Sequence, residues 1–525
     1  MTDSRSAEPT TPHERARSSR WLLVVVLSVQ AMVALDTSVV NVALPHIRSA
    51  LHFSPGDLTW VINAYSLTFG GLIMLGGRIG DQIGRRRALL AGLVVFGVAS
   101  LAGGLAQNPA ELIAARAAQG VGAAVLAPIA FTLISVHVPA GPARARALGL
   151  WGAAAAVGGA VGVLAGGVLT QWADWRIVLF LNVPMVAFVL VAALRGIPAD
   201  RANGHPPRLD APGALLVTAG TSVLVLAVVR TDTHPWGSAT TLITLALALA
   251  LLASFALVET RAPAPLLRPR LLTHRSVVVA NVFVLLLFSG QFTAFYFVSL
   301  YLQQVLGYSA ATTGLAFLPF CAGMPFGSTL ASRLVAWVEG RLLLAGGGAL
   351  AAVGLGWFAA TLGVHGSFVV SILGPSTVAS IGIGLCVVPM GTAATVGVAP
   401  AEAGMAAGLI TSSRQIGGSI GLAALATVAI TVAGHHHGDA RASAAAGYAT
   451  AVGVGGLLLA LAAVLAFLLL PARPSASPVR APDRPAPGGG EPFHRSTGLN
   501  PSPSGNSRTV TDTSDSGTVT TFISR

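Results

Sequence analysis

Of the 19 acidic residues, Asp36 lies well inside an apolar run; Glu111 sits at the entrance of another, and the rest fall in loops or at run ends. A carboxylate among hydrocarbon costs several kcal/mol unless it is paired or lines a cavity, so an ionisable group there marks an ion pathway. Such a carboxyl can load and release a proton. Arg116 is also inside an apolar run. Its guanidinium stays charged at any physiological pH, so it cannot carry the proton itself, but it can tune the carboxylate or help move its proton. Gln119 lies three residues on, hence on the same helical face, and adds a neutral hydrogen-bonding neighbour. The alternative is a static Asp36–Arg116 pair that only holds two helices together.

A second constellation is Gly77-Arg-Ile-Gly-Asp81-Gln-Ile-Gly84-Arg85-Arg86-Arg87. Within this glycine-bounded turn, Asp81 can pair with an arginine or a helix N-terminus and break that contact as the flanking parts move, which makes a conformational latch. The plainer reading is that Arg85, Arg86 and Arg87 fix orientation by positive charge. Gly158, Gly162 and Gly166 recur at four-residue spacing, with Gly167 beside them, a stripe that lets another helix approach closely and slide. Chance also makes such stripes in a chain with 61 glycines. Arg414, Gly417, Gly418 and Gly421 share one helical face, as a cavity wall or as a salt-bridged post. Asn281, Gln291, Phe292, Phe295 and Tyr296 mix aromatic faces with amides, which suits a large amphipathic ligand or plain packing. Asn41, Asn63, Trp151 and Arg414 join Asn281, Gln291, Phe292 and Tyr296 as candidate cavity residues.

Several chemistries are excluded. All 31 basic residues are arginine, so no lysine is present for a nucleotide-binding P-loop, a Schiff base or a pyridoxal anchor. Cys321 and Cys386 both lie in apolar segments and give neither a disulfide framework nor a zinc site. His435, His436 and His437, with Asp439 nearby, read as a solvated connection rather than a metal site. Gly417-Gly-Ser419-Ile-Gly421 matches the esterase elbow, but inside an apolar helix and without triad partners. No enzyme, metal or cofactor is expected.

The elements that must position these residues are membrane helices. The 525 residues are 54% hydrophobic and 10% charged, against about 25% charged in soluble domains. Runs of about 20 apolar residues, enough to cross about 30 Å of hydrocarbon, number fourteen. They lie near Trp21 to Leu44, Leu58 to Gly77, Ala88 to Ala106, Ala110 to Ile134, Ala147 to Leu169, Ile177 to Leu194, Ala211 to Val229 and Thr240 to Val258. The last six lie near Val277 to Leu300, Thr312 to Val335, Leu342 to Leu362, Phe368 to Met390, Gly404 to Val432 and Ala446 to Leu470. With both ends cytoplasmic, the inner segments hold 25 arginines and the outer loops 4, as the positive-inside rule requires. The net charge of +12 is thus topological and no nucleic-acid partner is implied. Asp36 interrupts the first run and no A-x-A site precedes it, so that run is a span rather than a signal peptide. Residues from Pro471 are rich in Pro, Ser, Gly and Thr and read as a disordered tail.

With the seventh and eighth runs set aside, polar signals recur in the two halves, as in a duplicated six-helix unit. Arg333 to Arg341 is a worn counterpart of the Gly77 segment, and the glycine-rich runs 5 and 13 are eight positions apart. Leu35 to Pro45, Trp60 to Tyr65, Gly77 to Arg87, Arg116 to Gly122 and Arg414 to Gly418 together resemble the fourteen-span drug:proton antiporters of the major facilitator superfamily. The resemblance covers Trp21 to about Leu470. It departs at Val163, where the family's fifth span carries proline, and at Gln82, where a basic residue is common.

The resemblance implies an all-α membrane protein of the major facilitator fold, two six-helix bundles (21–194 and 277–470) around a two-helix linker (195–276). Residues 1–20 would be a cytoplasmic arm and 471–525 a cytoplasmic tail. It also implies a monomer in the bacterial cytoplasmic membrane that exports amphipathic drugs or antibiotics for protons by alternating access. The alternatives are a proton-coupled importer, a narrow-substrate exporter of a biosynthetic product, and a sensor or channel subunit that moves nothing.

Overall fold

The computed structural model describes residues 12–139, 141–197, 209–398, 402–436 and 439–471. Among these, fourteen helices are long and apolar enough to cross a membrane. They are span 1 (Trp21–Leu51), span 2 (Asp57–Ile83), span 3 (Arg85–Gly104), span 4 (Pro109–His137), span 5 (Arg146–Trp172), span 6 (Trp175–Gly196) and span 7 (Ala211–Val229). There follow span 8 (Ala239–Arg261), span 9 (Arg275–Val305), span 10 (Ala310–Leu334), span 11 (Gly340–Thr361), span 12 (Phe368–Thr395), span 13 (Gly404–His435) and span 14 (Ala440–Leu469). Helices are the expected answer, since in hydrocarbon each backbone N–H and C=O must find its partner within the segment.

The count matches the apolar runs, and the differences lie at the ends. The first helix runs on through Pro45 to Leu51 and begins at Pro12, so the second half of the expected arm is continuous with span 1. The tail beyond Pro471 and His437 lie outside the described residues. Local chemistry explains several boundaries. Gly84 takes φ +94°, a conformation open to glycine at little cost, and so turns span 2 into span 3 without a loop. Asn108 caps span 4 by accepting from Glu111 N at 3.0 Å, while Glu111 Oε2 accepts from Gln107 N at 2.7 Å. Glu111 also accepts from Asn108 Nδ2 at 2.7 Å, so its carboxylate is tied to the capping turn at the helix start.

The even number of spans puts Trp21 and Leu470 on one face of the bundle, here the terminal face, and Leu51 on the other. In the first half span 5 packs along span 1, and span 4 against spans 2 and 3; in the second, span 13 packs along span 9, and span 11 against spans 12 and 14. Spans 7 and 8 form a hairpin, with span 7 wedged against spans 2 and 13. Span 8 has only 11% of its most apolar window buried, so its surface is left for lipid. One apolar cluster, from Val39 to Leu44 across to Phe297 and Phe317, joins the halves toward the Leu51 face. Among the described residues four hydrogen bonds link the halves directly. Three are near that face: Ser299 to Asn41 O (2.9 Å), Gln303 to Val42 O (3.0 Å) and Ala311 N to Gln171 (3.1 Å). The fourth, Ser412 Oγ to Gly70 O at 2.6 Å, lies deeper.

Candidate functional site

Span 1 brings Asp36 to the middle of the first half, where it has no exposed surface. Arg116 Nη1 donates to Asp36 Oδ2 at 2.7 Å and to Gln119 Oε1 at 2.9 Å, and Arg116 Nε donates to Val61 O at 3.0 Å. Asp36 Oδ1 accepts from Asn182 Nδ2 at 2.7 Å and from Gln119 Nε2 at 3.2 Å. Gln119 Nε2 also donates to Ser100 Oγ at 2.7 Å. The guanidinium stacks 4.5 Å from the Tyr65 ring centroid. Five spans thus close on one carboxylate: 1, 2, 3, 4 and 6.

The three residues singled out by the sequence come together as one network, which Asn182, Ser100 and the Val61 carbonyl complete. Asn182 had a signal, an amide within an apolar run; a serine or a carbonyl leaves none. In this arrangement the buried charge is paired and hydrogen-bonded, the condition for holding it in a low-dielectric interior. Each donor reaching Asp36 is an N–H, so a proton on that carboxyl must itself find an acceptor. Asn182 Oδ1, buried and without a partner, is within reach by a half-turn of the amide.

The span 5 stripe lies behind this network. A Cβ built on Gly162 would stand 2.8 Å from Leu35 O, and one on Gly166 would stand 2.7 Å from Val39 O; Gly158 meets Ala31 in the same way. The glycines therefore seat span 5 on the helix that carries Asp36. Gly167 instead faces Ala310 of span 10, across the halves. In the second half Gly417 abuts Leu285, Gly418 the Phe292 ring and Gly421 Ser289, all on span 9.

Comparison with known proteins gives the family. Residues 26–422 match the Major Facilitator Superfamily. The chain belongs to that superfamily. The transporter is 43% identical over 470 residues to the cephamycin export protein CmcT of Amycolatopsis lactamdurans, covering 88% of this chain and 95% of that one. It is 40% identical to the puromycin resistance protein pur8 of Streptomyces alboniger, covering 87% and 92%. Among solved structures it is similar in fold to a bacterial homolog of the human lysosomal transporter Spinster, with TM-score 0.61, 16% identity and coverage of 88% and 97%. The transporter is a multi-pass membrane protein and not an enzyme.

The residues expected to form a latch pair locally. Arg85 lies 3.8 Å from Asp81, and Arg86 donates to Leu194 O at 2.8 Å, both within the first half. Gly77 sits beside Pro128. It is the neighbouring Arg78 that reaches out of this half, donating to Ala264 O and Pro265 O after span 8.

The candidate cavity residues scatter. Gln291 lines an apolar niche of about 20 Å³ with Phe295, Phe317, Phe320 and Phe358. Its Oε1 has no partner, and neither do Asn63 Nδ2 and Oδ1 or Trp151 Nε1. Phe292 packs on Gly418, and Tyr296 is buried against Phe297, 5.0 Å between centroids. Asn41 Nδ2 donates to Thr37 O, and Asn281 Oδ1 accepts from Ser413 at 2.8 Å. Arg414 is exposed, its guanidinium 5.2 Å from the Phe288 ring centroid. No carboxylate pairs with it among the described residues.

Proposed function

We propose that the protein exports an amphipathic antibiotic or drug across the bacterial cytoplasmic membrane, exchanging it for protons by alternating access, with both termini cytoplasmic. The observation that carries this is the buried Asp36–Arg116 pair at the centre of a five-span hydrogen-bond network. A proton on Asp36 dissolves the ion pair and frees the guanidinium. Spans 1 and 4 then rearrange, and so do the spans tied to them through Asn182 and Ser100. With the Leu51 face bonded shut, the terminal face is the side from which substrate enters and the network is loaded.

The binding groups would be the unpartnered polar atoms of Asn63, Trp151 and Gln291, the aromatic niche around Phe295, and Arg414. An inward-directed proton supplies roughly 2.3 kcal/mol per 100 mV, with a pH contribution in addition, enough for modest accumulation. The similarity to antibiotic export and resistance proteins supports the substrate class; export of one biosynthetic product is the second reading, which the likeness to a cephamycin export protein favours.

Inside-out vesicles test this. Energised with a proton gradient, vesicles holding the wild type should accumulate a fluorescent amphipathic cation while dissipating the gradient, and Asp36→Asn should do neither. A wild type with no gradient-dependent flux for any of a broad antibiotic panel overturns the polyspecific reading. Uptake by Asp36→Asn equal to wild type overturns the role of Asp36.

A further inference from the structure

Two more carboxylates are buried, away from Asp36 and at the terminal ends of the hairpin formed by spans 7 and 8. Asp210 is 5% exposed and Glu259 is 4% exposed. Each uses one oxygen structurally: Asp210 Oδ1 accepts from Gly213 N at 2.9 Å and so caps span 7, and Glu259 Oε2 accepts from Leu267 N at 3.0 Å. Their other oxygens, Asp210 Oδ2 and Glu259 Oε1, are buried and have no partner. Both point at one spot, since a Cβ built on Gly213 would stand 2.7 Å from the first and 2.9 Å from the second. Two ionised carboxylates turned on each other in a buried site repel strongly, and their facing oxygens have no donor to offset desolvation. A hydrogen between them removes both faults at once.

We propose that Asp210 and Glu259 form a second proton-binding site, a carboxyl pair that holds one proton between its two unpartnered oxygens, and that Arg78 responds when the proton leaves. The cations facing the pair are Arg78 from span 2 and, beyond it, Arg268, with Arg261 at the end of span 8. Arg268 is engaged by Glu402 at 2.8 Å. Arg78 spends its donors on two neutral carbonyls, Ala264 O and Pro265 O, within the segment that follows Glu259. Loss of the proton adds one negative charge beside this guanidinium, and a charged acceptor outcompetes a neutral one. Arg78 then exchanges the carbonyls for the pair, shifting the linker against the end of span 2, one residue from Gly77. A groove of about 360 Å³ lined by Leu209, Asp210, Pro212, Leu257 and Arg261 gives the pair a route to water.

The site does not depend on Asp36, and the test separates the two. In infrared spectra of the full-length protein in lipid nanodiscs at pH 7, the wild type should show the carbonyl stretch of a protonated carboxyl. The same band should persist in Asp36→Asn, and it should be lost in both Glu259→Gln and Asp210→Asn, because either amide leaves the remaining acid alone beside Arg78. A band that survives both amide substitutions overturns the proposal, as does its absence from wild type. If an amide variant folds poorly, Gly213→Ala reads the same site: its methyl falls between the two oxygens, so the band should shift or vanish, and an unchanged band overturns the proposal. Failure of Asp36→Asn to alter flux in vesicles would overturn proton exchange at Asp36 and leave this band where it was.

Discussion

In the first half, span 5 seats glycines on span 1; in the second, span 13 seats glycines on span 9. The scaffolds correspond at an offset of eight spans, yet what they hold differs. The first pair encloses Asp36 in a hydrogen-bonded network in which Arg116 bonds to Asp36, Gln119 and the Val61 carbonyl. The second flanks a phenylalanine niche and an exposed arginine, Arg414, set beside the Phe288 ring and without a carboxylate partner among the described residues. One helix arrangement has thus been given over to charge in one half and to apolar surface in the other. The lesson is that close helix contact through glycine fixes geometry without fixing chemistry, so corresponding helix pairs can carry a charged centre in one half and none in the other.

The strongest break in this comparison is Arg116→Met. It strands a buried carboxylate, and removing one partner of a buried ion pair costs about 3–5 kcal/mol. The variant should express poorly or melt far below the wild type, whereas Asp36→Asn/Arg116→Met should recover much of the loss, as thermal unfolding in detergent would show. A double variant no better than the single one would mean that the network's other bonds, and not the charge pair, set the cost. Next come Gly162→Val and Gly417→Val, each of which forces side-chain atoms into backbone closer than 3 Å. Overpacking of this kind costs about 1–3 kcal/mol. The two should be alike in melting temperature, because the scaffold is shared, but only Gly162→Val should disturb proton-linked flux. Equal disturbance of flux would mean that the helix contact seating Asp36 is no more critical to coupling than its counterpart in the second half.

Much of this division is legible in the chain. The spans follow from apolar run length, because lipid leaves a helix few alternatives, and Asp36, Arg116 and Gln119 stand out because charge and amide are costly there. Ser100 and the Val61 carbonyl do not stand out, since a serine is cheap in any helix and every residue has a carbonyl. The burial of Asp210 and Glu259 was equally hidden. Both sit at run ends, where acids are ordinarily solvated, and only the fold of the linker brings them together. Arg78 reads as one more charge of the positive cluster until its carbonyl partners beyond span 8 are known. The latch residues look like a bridge between parts, but the described contacts of Asp81, Arg85 and Arg86 stay within the first half.

Ser100→Ala probes the edge of the charged network. It removes one acceptor from Gln119, which keeps its bond to Asp36, so the expected loss is about 1 kcal/mol, the net worth of one hydrogen bond. Flux should fall less than for Gln119→Leu, which removes three contacts; the ratio of initial uptake rates in vesicles checks the order. A larger effect from Ser100→Ala would place the critical constraint on span 3 instead of span 4.

The smallest effect on stability, and the sharpest on the comparison, is expected from Arg414→Gln. Arg116 and Arg414 are the two arginines well inside spans, and in a purely structural account each should matter for folding. Arg414, however, has no carboxylate to strand among the described residues, and its contact with Phe288 at 5.2 Å is an exposed cation–π pair worth about 0.5–1 kcal/mol. Replacement by glutamine should therefore leave the melting temperature nearly unchanged. What should change is selectivity: if Arg414 faces the substrate path as proposed, its charge repels cationic substrates and attracts anionic ones, so the variant should lower KM for cationic substrates and raise it for anionic ones, with maximal rate little altered. A matched fall in melting temperature and in flux for every substrate would show that Arg414 is a structural post like Arg116, and the two halves would then differ less than their contacts indicate.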